Sequence, residues 1–515
     1  MDAIQLSVFS SRIAAVCDEM GAMLRCAALS PNIKDRLDFS CAVFDAEGQL
    51  CAQAAHIPVH LGSMAYAMAG IVGQLEWRHG DMVIVNDPFL GGTHLPDITL
   101  IAPLFVDGQL VAFVTNRAHH ADIGASTPGS MPISKRLDEE GLIIPPSYLI
   151  RMGALDEDFL NSIVSATGNA QQSRGDFSAQ ISANRAGVQR LMSLIDGMGL
   201  SLFRQSLVLL NDYAERLATT ALQQIPDGEY RFSDLMDDDG MGNRDIPIQA
   251  CVKVDNGFIS VDFDGTAKQV KGNINCPLSV AAAAVYYVFR CLMPTQTPAC
   301  AGSFRRIQLS APEGSLVNAK RPAAVAAGNV ETSTRIVDVI MGALAQAIPD
   351  LIPAASHGSM NNVAMGARGA GQNWDYYETL GGGMGAGPQS AGLSALQTHM
   401  TNTLNTPVES LEMHYPLRIQ RYQIRSGSGG EGKHKGGDGL IREYEFLAPT
   451  TVTLLTERRQ HQPWGLAGGQ PGTVGQNCLD GEAQPAKISF SAQPGQRLIV
   501  STPGGGGWGR CEVDE

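Results

Sequence analysis

No two cysteines in this chain are spaced as Cys-x-x-Cys, so neither a zinc ribbon nor a dithiol redox motif is written in it. The ten cysteines are scattered along 515 residues, the pattern of reduced, buried thiols. Basic charge is short as well. With 37 Lys and Arg against 51 Asp and Glu, the formal net charge is −14, which excludes electrostatic binding to nucleic acid or anionic membranes. No apolar run approaches the roughly 20 residues that span a bilayer, and the N-terminus, with Asp2, has no basic leader. The expected setting is the cytoplasm. The P-loop, HExxH and GxSxG motifs are all missing. A GxGxxG match runs from Gly427 to Gly432, but Lys433-His434-Lys435 follows it where a dinucleotide site needs an apolar helix. Any nucleotide chemistry is therefore expected on another chain or at a less recognisable site.

What is present describes a folded enzyme. Hydrophobic residues make up 44% and charged residues 17%, which argues against disorder. The length exceeds what one core supports. The fold class read from the pattern is mixed α/β (α+β). It comprises a hairpin-rich, metal-binding N-terminal domain (1–225), a central mixed sheet with helices (226–350) and a glycine-rich, β-rich C-terminal domain (351–515). Helices are predicted over 4–29, with Ile4, Val8, Ile13, Val16, Met20 and Leu24 as its stripe, and over much of 156–223, 278–292 and 332–347. Strands are predicted over 81–85, within 228–264, and at 450–455 and 497–501. The 57 glycines cluster at 381–387, 427–439 and 504–507, implying tight turns and close backbone approaches.

Two predicted hairpins carry the chemistry. The first joins 41–44 to 49–53, the second joins 98–106 to 109–115 through Asp107-Gly108. In strict register from that turn, Pro96 lies opposite His119, Asp97 opposite Ala118 and His94 opposite Ala121. His94 and His119 then share one pleat face, while Asp97 joins them only if the chain is irregular near Pro96. The same counting on the first hairpin brings Asp38 near Ala55, beside His56. Two imidazoles with one or two carboxylates suit Zn, Mn or Fe(II) and leave positions for water or substrate. A bound water, acidified towards about pH 7, becomes a nucleophile. His120 competes with His119 for the second imidazole position, and Asp122 can instead orient an imidazole. Asn86 and Asp87 shape the turn before Pro88.

In order along the chain, the segments Asn32-Ile33-Lys34-Asp35-Arg36-Leu37-Asp38, His56-Ile57-Pro58-Val59-His60, Gly92-Thr93-His94-Leu95-Pro96-Asp97, Ala118-His119-His120-Ala121-Asp122, Arg174-Gly175-Asp176, Tyr377-Glu378-Thr379, His399-Met400-Thr401-Asn402-Thr403, Ser428-Gly429-Gly430 and Thr502-Pro503-Gly504-Gly505-Gly506-Gly507 carry a resemblance. The chain resembles the hydantoinase B family, the B-type subunits or domains of N-methylhydantoinase, 5-oxoprolinase and caprolactamase, with a related subunit in ketone carboxylases. Around 294–306 it departs from that family, with Gln296-Thr297-Pro298 where an asparagine is expected.

The resemblance implies a division of labour. A hydantoinase A-type partner, in a heterotetramer or larger assembly, would bind ATP and phosphorylate a cyclic amide (hydantoin, 5-oxoproline or another lactam). This chain would hold one divalent metal, Zn or Mn before Fe, and hydrolyse the activated ring. It implies His94, Asp97 and His119 as metal ligands with Asp38 as the fourth, and His120, Asp122 and His56 as supporting or proton-transfer groups. The alternatives are the metal-bearing subunit of a ketone carboxylase, a non-catalytic scaffold for the ATP-binding subunit, and a free-standing metallohydrolase.

Overall fold

The computed structural model describes residues 2–54, 56–369 and 373–511, with the Leu61 side chain excepted. Its N-terminal part is an all-antiparallel sheet of seven strands in the order β2-β1-β5-β4-β3-β6-β7. These strands are β1 (Phe39–Asp45), β2 (Leu50–Gln53), β3 (Met82–Val85), β4 (Asp97–Val106), β5 (Gln109–His119), β6 (Ser147–Arg151) and β7 (Ala154–Leu155). Helices Ala3–Ala27 and Ala170–Met198 cover one face. Helix Pro58–Ile71 covers the other through Met64, Ala67, Met68 and Ile71. That helix, absent from the predicted elements, is apolar nearly all round and so shows no amphipathic stripe. It needs none, because its far side meets helix Leu278–Cys291, where a Cβ on Gly62 would lie 2.9 Å from the Ala283 Cα.

The first helix turns out differently from its predicted stripe. Ile4 and Val8 are exposed, and Phe9 heads the buried row of Ile13, Val16, Cys17, Met20 and Leu24. At 100° per residue Ile4 lies on the opposite side from Ile13, so the row cannot include both. Helices Glu157–Ser165, Ala170–Met198 and Leu200–Leu222 fill the predicted helical stretch.

A four-stranded sheet follows, from strands Gly228–Asp238, Arg244–Asp255, Phe258–Asp262 and Ile307–Ser310. Its last pairing is parallel and the others antiparallel, which makes it a mixed sheet. Helices Leu278–Cys291 and Ser333–Leu344 pack into its core. Two further sheets, of four and five strands, occupy the C-terminal part. The three glycine clusters meet there. Gly430 donates to Gly505, Gly505 to Gly437, and Gly437 to Met384. A Cβ on Gly383 would lie 1.9 Å from the Gly437 carbonyl oxygen, so backbone packs directly on backbone. Among the described residues no helix is long and apolar enough to cross a membrane.

The hairpin between β4 and β5 sets the register that matters. Asp107 and Gly108 both take positive φ, the turn expected of Asp-Gly, and Val106 faces Gln109. Strict register fails between Leu104 and Phe105, where a bulge leaves Val111 as the extra residue of β5. Asp97 therefore faces His119, not Ala118. The irregularity expected near Pro96 sits at the other end of the hairpin. On the first hairpin Phe44 faces Leu50, not Gln49. Ala55 lies outside the described residues. Asp38 reaches the same place by another route, since β1 pairs with β5 and the Asp38 carbonyl accepts the His119 N–H.

Candidate metal centre

The loop from Asn86 to Pro96 delivers His94 to the end of β4. Asn86, fully buried, bonds the Leu95 and Leu142 carbonyls and the Ile144 N–H, stapling both ends of the loop. Gly92 is required: a Cβ there would sit 2.4 Å from the Asn86 carbonyl oxygen. Asp87 caps Phe89 and pairs with Arg321. A turn then closes with the Asp97 N–H on the His94 carbonyl.

Three ligand atoms converge. His94 Nε2 lies 3.3 Å from Asp97 Oδ1, His119 Nδ1 lies 3.3 Å from the same oxygen, and the two nitrogens are 3.3 Å apart. A tetrahedron with edges of that length has its centre about 2.0 Å from each vertex, the usual zinc–nitrogen and zinc–oxygen distance. The donor set of two imidazoles and a carboxylate therefore fits one divalent ion with a vertex to spare. Asp38 stands beyond it, with Oδ2 at 3.9 Å from His119 Nδ1 and 3.6 Å from Arg36 Nη2. Its side chain is 11% exposed while the other three are almost sealed, so the cluster faces solvent on the Asp38 side.

Neighbouring groups aim each ligand. His94 Nδ1 lies 3.1 Å from the Ala326 carbonyl, which leaves Nε2 to the cluster. Glu140 in turn accepts the Val325 and Ala326 N–H groups and fixes that carbonyl. The other oxygen of Asp97, Oδ2, meets His60 Nε2 at 3.2 Å, Asn329 Nδ2 at 3.4 Å and the Thr93 hydroxyl. Tyr377 stacks on the His119 ring at 4.8 Å, and Arg36 lies over the same tyrosine. Arg117, two residues before His119 and fully buried, bonds Thr99, Ser63 and the Gly91 carbonyl.

Burial and charge shape the protonation states. Burial raises the Asp97 pKa, but the surrounding imidazoles, His94 foremost, outweigh it and hold the carboxyl well below its usual range. Burial disfavours a charged His94, yet the Asp97 carboxylate wins and the pKa rises. His119 goes the other way: burial dominates and lowers it. Burial also pulls Arg117 down to about 10, with Asp97 opposing.

The remaining predicted residues lie apart from this cluster. His120 Nε2 is 2.9 Å from Gln180 Oε1, and its ring packs on Phe177. Asp122 accepts from Gly124, Gly168 and Ser130 and pairs with Arg368. His56 accepts the Cys41 N–H, lies edge-on to Phe39, and is pushed down to about 4 by burial and by His60. With Ser40 it lines a cavity of about 310 Å³. Sequence reasoning singled out neither His60, Asn329 nor Tyr377. His60 and Tyr377 had a signal, their places in the segments His56-Ile57-Pro58-Val59-His60 and Tyr377-Glu378-Thr379 that carry the resemblance.

A family described as hydantoinase B/oxoprolinase matches residues 2–511. An uncharacterized protein of Methanocaldococcus jannaschii is 41% identical over 99% of this chain and 91% of its own length. The 5-oxoprolinase 1 of Arabidopsis thaliana is 39% identical over 99% of this chain, which spans only 42% of that protein. Among solved structures, the ATP-dependent caprolactamase from Pseudomonas jessenii superposes with a TM-score of 0.93 at 28% identity, over 99% of this chain and 91% of that one. A nucleotide-free acetone carboxylase shares the fold, with a TM-score of 0.88 at 17% identity over 99% and 76%. The chain belongs to the hydantoinase B/oxoprolinase family.

Proposed function

We propose that this chain is the hydrolytic, metal-binding part of an ATP-dependent enzyme that opens a cyclic amide (a hydantoin, 5-oxoproline or another lactam). The observation that carries this reading is the triangle of His94, Asp97 and His119 ligand atoms, 3.3 Å on each side. An ATP-dependent caprolactamase with the same fold supports the reaction class. The length of the 5-oxoprolinases beyond the matched region leaves room for an ATP-binding part. We assign that part to a hydantoinase A-type partner in a heteromeric complex, since no phosphate-binding loop is written here. Ten free thiols support a reducing, cytoplasmic setting.

An unactivated lactam resists attack because amide resonance stabilises its carbonyl. Phosphorylation of that oxygen by the partner makes the carbon electrophilic; one water adds and the ring C–N bond breaks, the nitrogen taking the proton, and a second water then displaces phosphate from the resulting acyl phosphate to leave the carboxylate. A divalent ion, Zn or Mn before Fe, would supply Lewis-acid charge and an acidified water when bound. The chain's own residues hold it there: His94 and His119 present one nitrogen each, Asp97 one oxygen, and Asp38 closes the set from the exposed side. Arg36 balances Asp38. His56 faces the adjoining cavity and is the group we assign to proton transfer, while His120 and Asp122 brace the segment after β5.

The test is co-expression with an ATP-binding partner subunit, metal analysis of the complex and assay against hydantoins and lactams. ATP-dependent ring opening with one metal per chain is expected. Turnover that requires bicarbonate would replace this reading with the ketone carboxylase. Turnover that survives loss of His94 and His119 would replace it with the scaffold, and turnover without ATP or a partner would leave a free-standing hydrolase.

A further inference from the structure

We propose that Ser40 and His60 form a strut that sets the orientation of Asp97, and through it the geometry of the metal cluster. The inference rests on reading His94, Asp97 and His119 as metal ligands. His60 is not a ligand itself. Its Nε2 lies 3.2 Å from Asp97 Oδ2, the oxygen turned away from the cluster, and its Nδ1 lies 2.9 Å from Ser40 Oγ.

The direction of each hydrogen bond follows from the carboxylate. Asp97 Oδ2 only accepts, so the neutral His60 ring leaves Nδ1 to accept the proton of Ser40 Oγ, whose oxygen takes the Ile57 N–H at 3.2 Å. That places the ring proton on Nε2, where it donates to Asp97. Thr93 and Asn329 add their donors to the same oxygen. With Oδ2 occupied from three sides, Asp97 offers the cluster one oxygen in a fixed position. Without the strut, the carboxylate could rotate or grip the ion with both oxygens.

The strut is also well anchored. His60 sits in the first turn of helix Pro58–Ile71, and Ser40 sits on β1, two residues beyond Asp38 and on the same pleat face. Both are buried, at 1% and 4% exposure. The strut thus ties a helix start, a sheet strand and the metal loop together, and Ser40 forms part of the wall between the cluster and the cavity that His56 lines.

The test uses the full chain, stripped of metal with a chelator and titrated with Co²⁺ alone, read by calorimetry and by the visible absorption of the bound ion. Loss of an orienting partner of this kind typically costs about 10–100-fold in metal affinity, and that is expected for His60→Leu together with a shifted spectrum. His60→Gln, whose amide can still donate towards Asp97, should recover at least about tenfold of that loss. Ser40→Ala keeps the imidazole but removes the donor to its Nδ1, and should fall between these variants and the parent. Asp97→Asn is the control and should bind far more weakly than any of them. Parent-like affinity and spectrum in both His60→Leu and Ser40→Ala overturn the strut while leaving the metal site standing, and so does His60→Gln that binds no better than His60→Leu. If the parent binds no Co²⁺, or Asp97→Asn binds it equally well, the metal reading itself falls. Should His60→Leu fail to fold by circular dichroism, Ser40→Ala decides: weakened binding with an altered spectrum supports the strut, and unchanged binding rejects it.

Discussion

Among the described residues, two buried charged clusters differ in how their carboxylates are answered. Where helix Ser333–Leu344, strand Gly228–Asp238 and residues 455–459 meet, Arg458 lies 2.7 Å from Asp234 and 2.6 Å from Asp338. Arg335 and Lys487 reach Glu457 at 3.2 and 2.6 Å. Each of these carboxylates is answered by a guanidinium or ammonium of the chain itself. In the other cluster, among the described residues, the Asp97 carboxylate pairs only with imidazoles, and two ring nitrogens point at one of its oxygens. Burial and charge are common to both. What separates a site from a brace is lone pairs that converge with no cation of the chain between them.

The largest effect should come from emptying the cluster around Asp97. Asp97→Ala or His94→Ala is expected to abolish bound metal and lower partner-dependent turnover by at least about 1,000-fold, the loss of roughly 4 kcal/mol of transition-state stabilisation. Metal analysis beside a turnover assay measures both, and full activity in either variant would make the two clusters alike. The cluster around Glu457 should respond in stability instead. Glu457→Leu strands Lys487 and Arg335 and is expected to cost about 3–5 kcal/mol in urea denaturation, with turnover per folded molecule preserved.

A pH series sharpens the contrast. Burial pushes Glu140, which fixes the carbonyl that aims His94, up to about 7 from 4.5. An acid whose folded pKa is raised binds its proton more tightly in the native state, so its contribution to stability is complete below about pH 4.5 and is lost as pH rises to about 7. Glu140→Gln should flatten that part of the stability profile, and an unchanged slope would show the carboxyl to be ionised throughout. The smallest change is expected at Asp122, whose partners are all structural: Asp122→Asn should cost about 1–3 kcal/mol and alter turnover by less than about threefold. A larger kinetic defect would give Asp122 a part in the reaction.

The sequence carried much of this, and its failures have physical causes. Asp107-Gly108 fixed the turn, but the alternation that put His94 on the face of His119 does not survive the bulge: Asp97 takes that face, and His94 joins it from the turn closed by the Asp97 N–H on its carbonyl. Asp97 stayed conditional because the bulge at Val111 lies in Leu110-Val111-Ala112-Phe113-Val114, where every residue is apolar. Both faces of this sheet are covered, so a slip of one residue leaves no trace in polarity. Only the structure shows Val111 and Ala112, neighbours in sequence, buried in the same hydrophobic cluster. Helix Pro58–Ile71 was hidden for the same reason, and His60 with it. Asn329 and Tyr377 come from segments more than 200 residues downstream of Asp97, a proximity that no local pattern reveals.

The same bulge makes chain length itself a determinant of chemistry. Deleting Val111 would change no ligand, no charge and no residue near the cluster. It would also leave Asp97 facing His119, because Val111 is the residue of β5 without a partner on β4; losing a paired residue of β4 between Ile98 and Leu104 would instead slide Asp97 one step along β5, onto the wrong surface of the sheet. Variation among relatives should therefore tolerate loss of Val111 far more readily than loss of a paired residue between the bulge and the cluster.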